Sequence, residues 1–426
     1  MICIPITARN AEDTVSEMVS ASEYADIVEL RIDYIPELQN ALTCIEKSLK
    51  CKTKPVIITN RPEREGGKFN GSEQDRLQLL QKAIELGADY VDIEYDSIKQ
   101  ITRRNSSKVI ISYHNFKETP RNLSKIYNDI CQHKPDIVKI VTYANDITDN
   151  IRIFELLKSA KVPTISFCMG ELGNISRILT SKFGGFLTFA SLEKGKESAP
   201  GQLTVDELSK IYHFKDINKE TKLYGIIGNP VSHSMSPAIH NASFMEKGFN
   251  NVYVPLKVSS ISAFMKECRK IDFQGFSVTI PHKESVLPFL DDLDRTARKI
   301  GAINTIANQN GKLIGYNTDC MAAVMGLEDY LKKTNETLNN KKISIIGAGG
   351  AARAIAFGLK EKDCDITIFN RTIERAEKLS HDVKCKFESF EKIHKLDSDI
   401  LINTTSIGMF PNVDQTPVQK NILKDL

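Results

Sequence analysis

The chain has 426 residues, more than a single hydrophobic core usually supports, so two or three domains are expected. Its 57 Lys plus Arg against 54 Asp plus Glu leave a net charge of +3, too little for bulk attraction to nucleic acid or a membrane surface, so an anionic ligand must be held by local cations. The nine cysteines follow no C-x-x-C or His/Cys metal spacing, which points to reduced thiols and no metal site, while the lack of a leader and of any apolar run of about 18 residues points to a soluble, cytoplasmic protein.

From Met1 to about Tyr212, short β-branched runs recur roughly every 25 residues, each followed by a polar helical stretch, which is the rhythm of βα units. The runs are ICIPIT, ADIVELRID, PVIITNRP, YVDIEY, KVIISYHNF, DIVKIV, PTISFCMG and FLTFASL. Eight such units predict a closed (β/α)₈ TIM barrel over 1–215, although an open doubly wound sheet also alternates strand and helix.

The polar segment His213–Lys222 marks a boundary before the apolar LYGIIG. Strands are then expected at LYGIIG, NVYVPLKV, GFSVTIP and across TIANQNGKLIGY, giving an α/β domain over 223–325. A helical, Lys/Asn-rich stretch from Met325 to Asn340 leads into KKISIIGAGGAARAIAFG, whose strand, glycine turn and helix open a Rossmann domain over 340–426.

In a barrel strand, alternate residues face inward, so Glu29 and Arg31 should share a face, as should Ser112 and His114. Lys139 lies in the otherwise apolar strand DIVKIV, where an ammonium group must be paired or deprotonated. It serves either as structural glue to Glu29 or Glu94, or as an amine activated by desolvation for attack on a carbonyl. His114 on the neighbouring strand, with both groups placed near strand C-termini, favours the chemical role over a hydrogen-bonded core histidine.

VELRID, TNRPEREGG, SYHNF, DIVKIV, MGELGNISR and SAPGQ, in that order, resemble type I 3-dehydroquinate dehydratase across this half. The resemblance implies an imine between Lys139 and the C3 ketone of 3-dehydroquinate, with His114 removing the adjacent C2 proton and helping the C1 hydroxyl leave as water. It implies that Glu65 orients His114 and raises its basicity, and that Glu29, Arg31, Arg61, Arg177, Ser198 and Gln202 hold the substrate, the arginines because its carboxylate suits their planar fork. Met169 would pack beside the imine, and no cofactor is implied for this step. Aldolase-type lysine barrels are the nearest alternative enzymes but lack the His/Lys pair with SAPGQ.

In the second half, Ser234 and Ser236 stand in a turn before a helix, where hydroxyls cap helices or contact small anions. GFSVTIPHKE carries Thr279 and Lys283, GAINT carries Asn304, and GYNTD carries Asn317 and Asp319. As an ordered set these resemble shikimate dehydrogenase. The resemblance implies that Lys283 and Asp319 form the catalytic pair and that Ser234, Ser236, Thr279, Asn304 and Asp319 bind the ring's carboxylate and hydroxyls. Cys320 stands where the family usually has glycine, which affects the packing of the next helix.

GAGGAA places Gly347, Gly349 and Ala352 in the G-x-G-x-x-G/A spacing, with Gly350 and Ala351 opening the helix on which a pyrophosphate should sit. The following strand ends in Asn370, Arg371 and Thr372, with Arg375 a turn later and no acidic residue for a free ribose hydroxyl, which predicts NADP(H). NTTSIGM, from Asn403 to Met409, resembles the segment beside the nicotinamide.

Only four strands are expected after Lys341, where a full dinucleotide fold has about six. The expectation is that the chain either continues beyond residue 426 in its full form or carries an impaired dehydrogenase half. The whole is read as a two-step enzyme acting on 3-dehydroquinate and then on 3-dehydroshikimate, with small-molecule substrates, no nucleic-acid or membrane partner, and exposed barrel helices suited to a homodimer. The alternatives are a dehydratase alone, or a metabolite-sensing regulator on the same folds. Preference between shikimate and quinate is not written in these residues.

Overall fold

In the computed structural model, which describes residues 1–102, 107–410 and 412–423, the chain divides into two compact units. One comprises Met1–Ile226 with Pro230–Phe273, the other Ile227–Asn229 with Gln274–Leu426.

All eight expected barrel strands are present. They are β1 (Ile2–Ile6), β2 (Ile27–Arg31), β3 (Val56–Thr59), β4 (Tyr90–Glu94), β5 (Lys108–His114), β6 (Ile137–Tyr143), β7 (Thr164–Met169) and β8 (Thr188–Phe189). They pair in parallel in the order β7-β6-β5-β4-β3-β2-β1-β8, a nearly closed ring. At the seam, the Phe186 N–H donates to the Thr164 carbonyl at 2.8 Å. These strands are buried on both faces, which is why they read as unbroken apolar runs and not as alternating ones. Inside, Cys3, Ile27, Ile57, Ile110, Ile137, Ile165, Leu187 and Phe189 form a packed layer. Polar chemistry lies above that apolar floor, on the inward side chains of the strands and in the loops after them.

The first unit also carries β9 (Lys222–Gly228) up to Ile226 and β10 (Asn251–Lys257), with the helix Ser236–Glu246 between them. In the second unit, β11 (Phe273–Val278), β12 (Asp292–Leu293), β13 (Thr305–Gln309) and β14 (Lys312–Tyr316) lie in the order β11-β13-β14-β12. The TIANQNGKLIGY run is the β13–β14 hairpin.

The same unit ends in a parallel sheet of β15 (Lys342–Ile346), β16 (Asp365–Asn370), β17 (Lys386–Ser389) and β18 (Ile400–Asn403), ordered β17-β16-β15-β18. These are the four strands expected from sequence. The helix expected over Met325–Asn340 instead spans Asp319–Leu331, followed by a 3₁₀ turn at Lys332–Thr334. Its apolar start, CMAAVMGL, packs on the helix Gly350–Lys360 and begins within the GYNTD motif. Cys320 fits there because Gly358 faces it, and a Cβ on Gly358 would lie 2.9 Å from the Cys320 Sγ.

Among the described residues, no helix is long and apolar enough to cross a membrane. No group of three or more His, Cys, Asp or Glu among them is placed to hold a metal ion.

Candidate active sites

The barrel brings every dehydratase residue expected from sequence to one cavity. Glu29, Arg31, Arg61, Glu65, His114, Lys139, Met169, Arg177, Ser198 and Gln202 line it, together with Phe116, Phe167 and Phe189. Register explains the pairing of the two central groups: Ser112 on β5 faces Lys139 on β6, so His114 lies one inward position further along. His114 ends its strand, whereas Lys139 is the third of seven residues in β6 and lies deeper than expected.

Lys139 does not contact Glu94. Its Nζ donates to Asp92 Oδ2 at 2.7 Å and approaches Glu29 Oε1 at 3.5 Å. Glu94 instead accepts from Arg61 Nη1 at 2.6 Å and from Arg76, while Arg61 Nη2 donates to Asp92 at 2.6 Å. The result is a chain of buried ions in which each charge has an opposite neighbour, the condition for carrying ions in a dry interior. Arg31 is held on Asp33 by two bonds of 2.9 and 2.7 Å. Asp92, Glu94 and Arg76 were not singled out as site residues, although Asp92 and Glu94 show the same alternation in YVDIE as Glu29 and Arg31 in VELR.

His114 Nδ1 lies 2.7 Å from Glu65 Oε2. The 3₁₀ turn Glu63–Glu65 ends on Gly66, whose φ of 74° favours glycine, and a Cβ there would come 2.3 Å from the tip of the Phe116 ring. The net electrostatics at His114 are set by burial. Although Glu65 lies beside it, burial, with Arg61 and Lys139 adding positive charge nearby, holds the His114 imidazole well below its ordinary range. Burial also pushes the Glu65 carboxyl up to about 8, against the opposing pull of Arg61. A neutral imidazole is a ready proton acceptor at physiological pH.

Arg177 is 1% exposed, and its Nε and Nη2 have no partner. Burial lowers its guanidinium pKa, and the group stacks over Phe167 at 4.2 Å. Gln202 likewise leaves its Nε2 unpaired while its Oε1 accepts from the Ser198 N–H and hydroxyl at 2.7 and 3.1 Å. Unsatisfied buried donors are costly. Their convergence on a cavity is what an incoming carboxylate or hydroxyl requires.

In the second unit, Lys283 pairs with Asp319 Oδ2, and Asn304 Nδ2 donates to Asp319 Oδ1 at 2.8 Å and to Thr318 Oγ1 at 2.8 Å. Asn317 fixes the turn, donating to the Ala302 carbonyl and accepting from the Cys320 N–H. Ser234 and Ser236 lie in the first unit at the start of the helix Ser236–Glu246, where the Ser234 hydroxyl accepts from the Ser236 N–H at 3.2 Å.

A cavity of about 660 Å³ joins Thr279 and Lys283 to the glycine turn at Gly349, Gly350 and Ala351, and to Arg353, Arg375, Lys378 and Thr404. Gly347 has φ 112°, and a Cβ there would collide with the Thr404 hydroxyl at 2.4 Å. A Cβ on Gly349 would meet open space. Four cations and a single carboxylate, Glu284, line the cavity, so it suits a phosphate-bearing ligand. Arg375 reaches it, whereas Asn370 at the end of β16, and Arg371 and Thr372 in the turn after it, do not line the cavity. Lys378 was not expected there, since a lysine on a polar helix face carries no signal of its own.

Three family matches run along the chain. Residues 2–219 match type I 3-dehydroquinase, residues 226–306 the shikimate dehydrogenase substrate binding domain, and residues 329–414 shikimate / quinate 5-dehydrogenase. A chloroplastic bifunctional 3-dehydroquinate dehydratase/shikimate dehydrogenase from Arabidopsis thaliana is 44% identical over 447 aligned residues, covering 100% of this chain and 74% of that protein. The shikimate biosynthesis protein AroDE of Chlamydia pneumoniae is 30% identical over 416 residues, covering 95% of this chain and 83% of that one. A shikimate dehydrogenase (NADP(+)) of Methanocaldococcus jannaschii is 45% identical over 215 residues, covering 48% of this chain and 74% of its own. The chain therefore belongs to the type I 3-dehydroquinase family, joined in one polypeptide to shikimate dehydrogenase domains, and is a bifunctional enzyme of the shikimate pathway.

Proposed function

We propose that the barrel dehydrates 3-dehydroquinate to 3-dehydroshikimate through an imine on Lys139. The observation that carries this reading is the meeting of Lys139, His114 and the unpaired Arg177 in one buried cavity. Arg177, Gln202 and Ser198 take the substrate's carboxylate and hydroxyls, and Met169 packs against the ring. The iminium draws electrons from C2, so the neutral His114 imidazole can remove the C2 proton and then protonate the departing C1 hydroxyl. Glu65 fixes the imidazole's tautomer. The step needs no cofactor, because the lysine makes its own electron sink.

The second half reduces 3-dehydroshikimate to shikimate with Lys283 and Asp319 as its acid–base pair. Asn304 holds Asp319, and Thr279 contacts the ring. NADP(H) is the cofactor this reading calls for: Gly347, Gly349, Gly350 and Ala351 take the pyrophosphate, and Arg375, with Asn370, Arg371 and Thr372 at the strand end, takes the 2′-phosphate. When bound, the dinucleotide supplies the hydride. Lys283 holds the ketone oxygen and delivers the proton to it.

The domains are assigned to 1–215, 223–325 and 340–426. The partners are small molecules, the assembly a homodimer through barrel helices, and the compartment the cytoplasm, in keeping with nine thiols in no disulfide-forming pattern. One assay tests the whole reading. With 3-dehydroquinate as the only carbon substrate, NADPH is consumed and shikimate accumulates. Accumulation of 3-dehydroshikimate with NADPH untouched would leave the dehydratase standing and remove the second half.

A further inference from the structure

The residue that touches the reacting nitrogen most closely is Asp92 on β4, which is fully buried. Its Oδ2 accepts from Lys139 Nζ at 2.7 Å and from Arg61 Nη2 at 2.6 Å. Its Oδ1 is buried with no partner. Arg61 is in turn fixed by Glu94, and Glu94 by Arg76, so the carboxylate sits at the end of a rigid series of ion pairs. The Phe189 ring lies 4.6 Å from the same Nζ and keeps that side dry.

We infer that Asp92 is the permanent counter-anion of the Lys139 nitrogen, stabilising it as ammonium before the reaction and as iminium after substrate has added. The inference rests on the imine reading proposed above. In the overall step an ammonium and a ketone give an iminium and water. The nitrogen loses two protons and forms two bonds to carbon, and the carbonyl oxygen leaves carrying those two protons. A single positive charge therefore sits on nitrogen at both ends of the step, and an anion beside it need neither gain nor lose a proton. Burial alone would raise the Asp92 carboxyl, but Arg61 and Lys139 outweigh it and hold the group well below the usual carboxylate range, so the anion persists. A fixed anion beside a charge that persists from ammonium to iminium acts in a water-poor site without reorganising, the condition under which electrostatic stabilisation is strongest. Glu29, 3.5 Å away and already accepting from Thr59 at 2.8 Å, is the weaker second anion.

The test is Asp92→Asn, which keeps the shape and removes the charge. With 3-dehydroquinate and borohydride, trapping at Lys139 is expected to slow by about 10²- to 10³-fold. The primary isotope effect from deuterium at C2 is expected to fall towards unity, since imine formation becomes the slow step. Asp92→Glu, which keeps the charge on a longer arm, should recover part of the trapping rate. A folded Asn variant that traps at the native rate with the native isotope effect would overturn the inference, as would a Glu variant no better than Asn. Should the Asn variant fail to fold, the Glu variant decides alone, through a suppressed or a native isotope effect. Failure of the native enzyme to form an adduct on Lys139 would instead remove the imine reading itself, before Asp92 is reached.

Discussion

Lys139 and Lys283 each face an aspartate, yet the two pairs are built differently. The side chains of Lys139 and Asp92 are 6% and 0% exposed, and both belong to a continuous run of buried ions that reaches Glu29, Arg61, Glu94 and Arg76. Lys283 and Asp319 are 16% and 32% exposed and steadied by Asn304, and Lys283 opens onto a cation-lined cavity. The barrel site holds a lysine in a dry interior and surrounds it with fixed counter-charges. The second site works on a ligand that brings its own phosphates, and there the protein provides cations and glycine backbone.

This contrast can be broken in one half at a time. The largest effect is expected from Lys139→Ala, which removes the nucleophile and should cut dehydration by roughly 10⁴- to 10⁶-fold. In the same protein, NADPH oxidation with added 3-dehydroshikimate should be unchanged, and a parallel loss would mean that the halves are not independent. Conversely, Lys283→Ala or Asp319→Asn should lower 3-dehydroshikimate reduction by about 10²- to 10⁴-fold, with dehydratase rates intact. Arg177→Ala should raise the dehydratase KM by about 10- to 100-fold, the worth of one charge-assisted hydrogen bond, and should leave borohydride trapping at saturating substrate largely unaltered. A smaller change is expected from Arg375→Ala: about tenfold weaker NADPH binding with NADH binding unchanged, as expected for one charge-assisted phosphate contact.

The smallest effect sharpens the electrostatics of the barrel. Glu65 titrates near 8 in the folded chain, above its unfolded value, so its contribution to stability is complete at low pH and is lost as pH rises through 8. His114 is depressed in the folded chain, so its contribution is lost as pH falls through the unfolded histidine range. The two trends oppose each other below about pH 6.5, and only the Glu65 trend remains between about 6.5 and 8. Stability should therefore decline by about 1–2 kcal/mol across that upper window, a few degrees in Tm. Glu65→Gln should flatten the decline. A native-like slope in that variant would assign the proton elsewhere.

Much of this was legible before the fold was known. The barrel strands could be read because strands buried on both faces are apolar along their whole length, and the Rossmann strands because the glycine turn supplied their context. Lys139 and His114 could be read because a charge in such a strand is anomalous. Asp92 presents the same anomaly in YVDIE, but which inward charges meet across a barrel depends on register between strands far apart in the chain, which one strand's alternation does not report. Glu65 was legible as a neighbour of His114, but the net direction of the imidazole's shift was not, since it is set by burial. The helix at Asp319 was misplaced because its first turn lies within residues that read as site chemistry. Lys378 has no sequence signature at all, since only the packing of its helix beside Gly349 and Gly350 brings it to the cavity.

The central claim is that Lys139 carries the dehydration as an imine, and borohydride reduction during turnover of 3-dehydroquinate, followed by mass mapping, tests it most directly. The account predicts a stable adduct on Lys139 with concomitant loss of dehydratase activity and retained NADPH-linked reduction. Recovery of unmodified Lys139 from enzyme that goes on releasing 3-dehydroshikimate in the presence of the reductant would contradict it.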